Sequence, residues 1–292
     1  MARIAESELI INGDGSIFHL HILPEDLADI IILVGDPGRV DLVSTFFDKN
    51  SIEVKKSSRE FNTITGKYKG KRVSVISTGI GTDNIDIVMT ELDALANIDF
   101  KTREPKKDKK RLKILRVGTC GAVQPDIPLG GFIFSHISIG FDGLLNWYAG
   151  RDIIALKGIE DAFVKHMGWN EKLPVPYFVK ASEELIKRFD GCTIKGMTVS
   201  APGFYGPQGR SVRLPLLYPD LIDKLESFKY EDRRVTNIEM EGSALAGLAT
   251  LLGHDAGTVC CAIANRHAKE SQPDYKPYIL KLVELSLDKL TE

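Results

Sequence analysis

Apolar residues along this chain gather in short runs that end in glycine. The run DIIILVGDPGRV at 29–40 predicts a buried strand that delivers a Gly-Asp-Pro-Gly turn. RVSVISTGIGT at 72–82 repeats the design, with Val, Ser and Ile alternating ahead of a glycine loop. LKILRVGTCGAV at 112–123 is a third such unit, and GGFIFSHISI at 130–139 predicts a further strand. MTVSAPGFYG at 197–206 reads as a strand entering a loop, and DAGTVCCAIANR at 255–266 as an apolar strand with a polar tail. Elsewhere the period lengthens. Ile87, Val88, Leu92 and Leu95 share one helical face, which predicts a helix over 83–95. VTNIEMEGSALAGLATLLG at 235–253 begins extended and becomes a helix of small residues, with Gly253 suited to a left-handed C-terminal cap. KPYILKLVELSLDKL at 276–290 predicts an amphipathic terminal helix.

Strands alternating with helices imply an α/β fold: a central, mostly parallel or mixed twisted sheet flanked by helices. No proline-rich linker and no internal repeat of about 20–50 residues divides the chain, so residues 1–292 are read as a single domain. In such sheets ligands collect beyond the carboxyl ends of strands, where the glycine-rich and polar segments of this chain fall.

Composition narrows the partners. The chain is 43% hydrophobic and 27% charged with a net charge of −2, which offers no global electrostatic case for nucleic acid or an anionic membrane. No apolar run approaches about 18 residues, so no membrane span is expected, and the N-terminal residues lack the pattern of a secretory signal. Cys120, Cys192, Cys260 and Cys261 form no C-x-x-C pair and are expected as free thiols in the cytoplasm. No grouping has zinc spacing, so no metal is expected. One segment stands apart: KTREPKKDKKRLK at 101–113 holds eight basic and two acidic residues. Without interleaved aromatics it reads as a solvated surface loop, with a polyanion patch as the lesser reading.

Eight segments, taken in order, resemble the nucleoside phosphorylase family in its uridine phosphorylase branch: IFHLHI (17–22), GDPGRV (35–40), SREF (58–61), STGIGTDN (77–84), RVGTCGAVQPDIPLG (116–130), FYGPQGR (204–210), NIEMEGSAL (237–245) and IANR (263–266). The basic segment resembles an insertion relative to shorter bacterial members. The resemblance implies reversible phosphorolysis of a nucleoside, in which phosphate attacks the anomeric carbon. It places Gly35, Arg39, Arg116 and Thr119 at the phosphate, a ligand that suits arginines and backbone N–H groups. It implies that Arg59 serves a neighbouring subunit's phosphate site. It implies that His19 holds a 5′ hydroxyl and Phe18 caps the site, both across the same interface. It gives Glu241 and Met240 to the ribose, with Glu239 in support; the bland alternative for the glutamates is helix-dipole partnership. His21, two residues beyond His19 on a segment expected to be extended, would point away and has no role. Arg116, Glu241, Gln208 and Arg210 are the expected catalytic set. An oligomer with shared sites is implied, a hexamer favoured over a dimer. No cofactor is expected beyond phosphate as co-substrate. In some relatives the glutamate matching Glu60 helps hold a monovalent cation, but Asn84 departs from that pattern and weakens the expectation. Gly242 and Cys120 also depart, standing where relatives carry serine or a similar small residue and serine or threonine.

The base-reading chemistry can be argued from the residues. Uracil offers O2 and O4 as acceptors and N3–H as a donor. A glutamine amide takes N3–H and gives to O2, and an arginine gives to O4. Gln208 and Arg210 match that edge, Phe204 can lie against the ring, and Arg266 supports the pocket from behind. Cytosine would set its amino group against a guanidinium that has no acceptor, and is therefore disfavoured. The purine branch carries an aspartate where Asn265 stands. The alternatives are a purine nucleoside phosphorylase, a nucleosidase that uses water, and a non-catalytic nucleoside-binding protein.

Overall fold

The computed structural model describes residues 3–292. Its frame is a 12-stranded mixed sheet. The first strand, β1 (Ile30–Val34), pairs in parallel with β4 (Lys71–Ser77) on one side and β7 (Lys113–Ala122) on the other. Beyond β4 lie β3 (Phe61–Tyr68) and the edge strand β2 (Val54–Ser58), both antiparallel. The sequence VKKSS of β2 has neither apolar alternation nor a buried residue, and its exposed lysines suit a sheet edge. Helix α1 (Pro37–Ser44) follows β1, and α2 (Thr82–Asn97) follows β4. Two short strands, β5 (Ile98–Asp99) and β6 (Glu104–Pro105), form a separate antiparallel pair.

The rest of the sheet curls. β13 (Asp255–Asn265) runs parallel to β7 and antiparallel to β8 (Phe132–Gly140). β10 (Ile194–Ser200) lies beside β8, and β12 (Arg233–Glu239) beside β10. β12 then pairs back onto β7 through Asn237–Ala122 and Ile238–Gly121. Five strands thus close on themselves, a feature the strand pattern did not announce. Short strands β9 (Tyr177–Lys180), β11 (Lys229–Tyr230) and β14 (Glu270–Ser271) border this ring. Helices α3 (Arg151–Ile154), α4 (Lys157–Met167), α5 (Glu183–Phe189), α6 (Leu221–Ser227), α7 (Gly242–Leu252) and α8 (Lys276–Thr291) complete the chain.

Packing explains the continuous apolar run of β1. Ile31 and Leu33 face a core shared with α2 and α7, while Ile32 and Val34 face one shared with α1 and α8. Strands covered on both faces need no polar alternation. The closing bridge matters most for function. It joins the carboxyl ends of β7 and β12, so Met240 and Glu241 just beyond β12 share a cavity with the last residues of β7.

Two local expectations change, and a third gains detail. The Gly-Asp-Pro-Gly turn is a helix start: Asp36 caps α1, accepting from Gly38 N at 2.9 Å, and Pro37 takes the first helical position. The 17–22 segment is a turn rather than extended chain. His21 N donates to Ile17 O at 3.1 Å and His21 has φ 54°, so the alternation argument does not apply to it. The basic segment is exposed over most of its length, in keeping with a solvated surface loop, and is anchored at several points. Arg103 donates to Leu9 O, Lys106 to Ala96 O, and Arg111 pairs with Asp255 at 2.5 Å.

Candidate active site

A cavity of about 1480 Å³ opens where the loops after β1, β4, β10, β12 and β13 meet the carboxyl-terminal half of β7. It gathers Gly35, Arg39, Arg116, Thr119, Phe204, Gln208, Arg210, Glu239, Met240, Glu241 and Arg266 around one space. Phe18, His19 and Arg59 do not line it; they form their own group, with the Arg59 guanidinium 5.5 Å from the Phe18 ring centre.

The floor is a buried charge cluster. Arg116 donates Nη2 to Glu241 Oε2, and Nη1 lies 3.2 Å from Glu239 Oε2. All three residues are buried, and Arg116 Nε has no partner among the described residues. Burial alone would weaken the Arg116 charge, but Glu241 and Glu239 outweigh it and hold its pKa above the ordinary value. Glu241 is pushed up chiefly by burial; Arg116 opposes the shift and Glu239 adds to it. Its other oxygen accepts from Gly81 N at 2.8 Å, tying the loop after β4 to the loop after β12. Glu239 has a different occupation. Its carboxylate accepts from Glu241 N and Gly242 N at 2.9 Å and from the Ser200 hydroxyl, so it caps the start of α7. A side chain at Gly242 would meet Glu239 Oε1 and Thr258 Oγ1, each at 3.2 Å, which gives glycine a packing reason there.

Along the wall, Arg39 projects from the first turn of α1 and donates to Val117 O at 3.4 Å. Its pKa is lowered first by burial and then by Arg116. Two like charges held close together gain from an intervening anion. Gly35 is required by approach: a Cβ there would lie 3.3 Å from Gly79 O, where two glycine loops meet. Nearby, Asn84 donates to Glu60 Oε1 at 3.3 Å.

The 204–210 loop forms the opposite wall. A single helical turn at Gly206–Gln208 ends on Gly209 in the left-handed region, φ 69°. This turn buries Gln208 and points Arg210 back across it. Arg210 Nη1 donates to Gln208 Oε1 at 2.5 Å and to Phe204 O at 2.7 Å. The same guanidinium covers one face of Phe204 at 3.8 Å from the ring centre, leaving the other face for a ligand. Burial first, and Arg266 second, lower the Arg210 pKa to about 10; a guanidinium still carries its proton near neutrality. Arg266 reaches from the end of β13 and donates to Gln208 O at 2.9 Å and Gly209 O at 3.3 Å.

Glu91 was not visible in the sequence. This buried carboxylate on α2 accepts from His19 N, Leu20 N and, at 2.6 Å, His19 Nδ1. It holds the 17–22 turn and ties His19 to α2. A glutamate within an amphipathic helix gives no cue to such a partner 72 residues away.

The fold and the pocket are those of an α/β protein with a charged cavity at its strand ends. The chain belongs to the phosphorylase superfamily, whose family model matches residues 29–283. It is 32% identical over 260 residues to a uridine phosphorylase of Thermococcus kodakarensis, covering 88% of this chain and 80% of that one. It is also 29% identical over 243 residues to a DeoD-type purine nucleoside phosphorylase of Vibrio vulnificus, covering 83% and 82%. Among solved structures, a Trypanosoma brucei nucleoside phosphorylase described as showing uridine phosphorylase activity superposes with a TM-score of 0.89, at 31% identity, over 97% of this chain and 99% of that one. With both branches at similar identity, the choice of base rests on the chemistry of the pocket.

Proposed function

We propose that the protein is a uridine phosphorylase that converts uridine and phosphate reversibly to uracil and ribose 1-phosphate. The observation that carries this reading is the pairing of Gln208 and Arg210 on one wall of the cavity that also holds Arg39, Arg116 and Glu241. Phosphate binds between Arg39 and Arg116, with the Gly35 and Thr119 region beside it. Arg116 Nε is buried and has no partner among the described residues. Glu241 accepts from the ribose hydroxyls, using lone pairs not taken by Gly81 and Arg116, and Met240 packs on the sugar. Glu239 acts one step back, fixing the turn that carries Glu241.

A phosphate oxygen forms a bond to C1′ as the C1′–N1 bond breaks. The bonding pair leaves with uracil and spreads onto O2 and O4. Donors from Gln208 and Arg210 stabilise that charge as it develops, and water returns a proton to the free base. Gln208 Oε1 has a second lone pair beside its bond to Arg210, so it can accept N3–H while Nε2 donates to O2. Phosphate is a co-substrate, and no step needs a further cofactor.

Phe18, His19 and Arg59 lie away from the chain's own cavity, on a partly exposed surface. We infer that they complete the cavity of a second copy in a homo-oligomer. No helix among the described residues is long and apolar enough to cross a membrane.

The test is base release from uridine, thymidine, cytidine and inosine with and without phosphate. Uridine is expected to turn over only with phosphate. Release without phosphate overturns the phosphorylase reading, and faster cleavage of inosine than uridine overturns the base assignment.

A further inference from the structure

Asn265 ends β13 and borders the cavity, yet its amide offers nothing to a ligand. Nδ2 donates to Gln124 O at 3.0 Å and to Ile127 O at 3.1 Å. Oδ1 accepts from His267 N at 3.1 Å and from Ala268 N at 3.0 Å. Two carbonyls on one side and two N–H groups on the other determine which amide atom points where. The side chain is buried with two donors and two acceptors all used on backbone. It therefore joins the loop after β7 to the turn after β13. The next residue, Arg266, leaves this clamp with its own N–H on Ala122 O at 2.7 Å, and its guanidinium holds the carbonyls of Gln208 and Gly209.

We propose that Asn265 is a positioning residue for base recognition: by clamping these two loops it aims Arg266, which sets the backbone that presents Gln208. This rests on the uridine phosphorylase reading above. It also makes the base preference resistant to a single exchange at this position. A carboxylate in place of the amide would face two carbonyl oxygens with no donor. It would break the clamp instead of creating a purine-reading acid.

The chemistry supplies a readout that a merely bulky defect would not give. In N265D one carboxyl oxygen keeps the two N–H donors, which favour the charged form, but burial and the two carbonyls facing the other oxygen favour the protonated form, with an O–H to donate, and on balance raise its pKa. Folded-state stability from that group is present at low pH and lost as pH rises through the raised value. Charged and titratable groups around it are Arg266 and His267 next in the chain, Glu270 across the β13–β14 pairing, and Asp126 on the loop after β7 with its partner Arg234 on β12. These are common to wild type and variant, and their effects are reduced when the two are compared as a ratio.

The experiment measures kcat/KM for uridine and thermal unfolding of wild type, N265D and N265A from about pH 5.5 to about pH 8.5. Expected is a loss of about tenfold or more for both variants at the alkaline end, with the KM for phosphate nearly unchanged. N265D should regain uridine activity and melting temperature relative to wild type as pH falls, and N265A should regain neither. N265D should gain no cleavage of inosine. Parallel pH profiles for N265D and wild type, or new inosine cleavage, would overturn the proposal. Melting temperatures test the clamp apart from turnover. A wild type inactive on uridine thus breaks the functional reading, whereas an N265D melting profile parallel to wild type breaks the clamp.

Discussion

Two regions of this molecule concentrate positive charge, and they do opposite things with it. The segment 101–113 is the more basic in sequence, but its anchored side chains reach to nearby partners: Lys110 to Asp29, Arg111 to Asp255, Lys113 to Glu184. Arg111 is two-thirds exposed, so water screens what its pair can contribute. The cavity holds fewer cations. Arg116 is buried against two carboxylates, and Arg39, whose pKa burial and Arg116 lower, lines the same cavity. Charge count therefore does not locate the site. Burial does, because desolvated charges interact strongly and leave an anion a large electrostatic gain.

The sharpest way to break this comparison is Arg116→Ala. It strands Glu241 and Glu239 in the interior, and the expected cost is about 3–5 kcal/mol in chemical unfolding, with turnover reduced by about a thousandfold or more. Near-normal stability would mean that the cluster is better solvated than its burial implies.

Gln208→Ala comes next. Loss of its bonds to the base should lower kcat/KM for uridine by about 10–100-fold while the KM for phosphate holds. Equal damage to both would move the loop off the base. Arg59→Ala mixed with Gln208→Ala should recover activity in hybrid oligomers, since one intact cavity can then be assembled from two defective chains. No recovery despite proven subunit exchange would return Arg59 to its own chain.

A pH profile tests the cluster more gently. On the proposed reading the ionised form of Glu241 is the better acceptor for the ribose hydroxyls, and burial raises its pKa. Activity should therefore be lost as pH falls through a value above the ordinary glutamate range, and Glu241→Gln should remove that dependence along with most turnover.

The smallest effect belongs to the basic segment. Arg111→Ala should cost about 0–1 kcal/mol and leave kcat/KM unchanged. Burial raises the Asp255 pKa, but bonds from Arg111 and Ser182 outweigh it and hold the value low. Its stabilising contribution is present above the ordinary aspartate pKa and fades as pH falls through the lowered one. The substitution should shift that acid-side loss to higher pH, read by thermal unfolding.

Much of the site could be read from local pattern. Glycines after apolar runs marked the loops that line the cavity, and the FYGPQGR segment carried a face and an edge suited to a pyrimidine. Position could not be read in the same way. Glu239 and Glu241 are two residues apart, yet one caps α7 with its whole carboxylate and the other keeps capacity toward the cavity. Asn265 was legible as an amide in place of an acid, but not as a clamp between loops whose contacts lie 138 and 141 residues away in sequence. Glu91 gave no signal, because a buried acceptor for distant N–H groups has no local signature.

By itself, the sequence determined the kinds of element and the chemistry available at their ends. Hydrophobic period and glycine placement act over a few residues, and those forces are local. Tertiary structure decided which ends meet. The pairing of β12 back onto β7 closes five strands into a ring and brings the end of β12 against the end of β7. That closure also buries Arg116 among carboxylates from another strand's end, and burial is what turns an ordinary ion pair into a strongly coupled charge cluster.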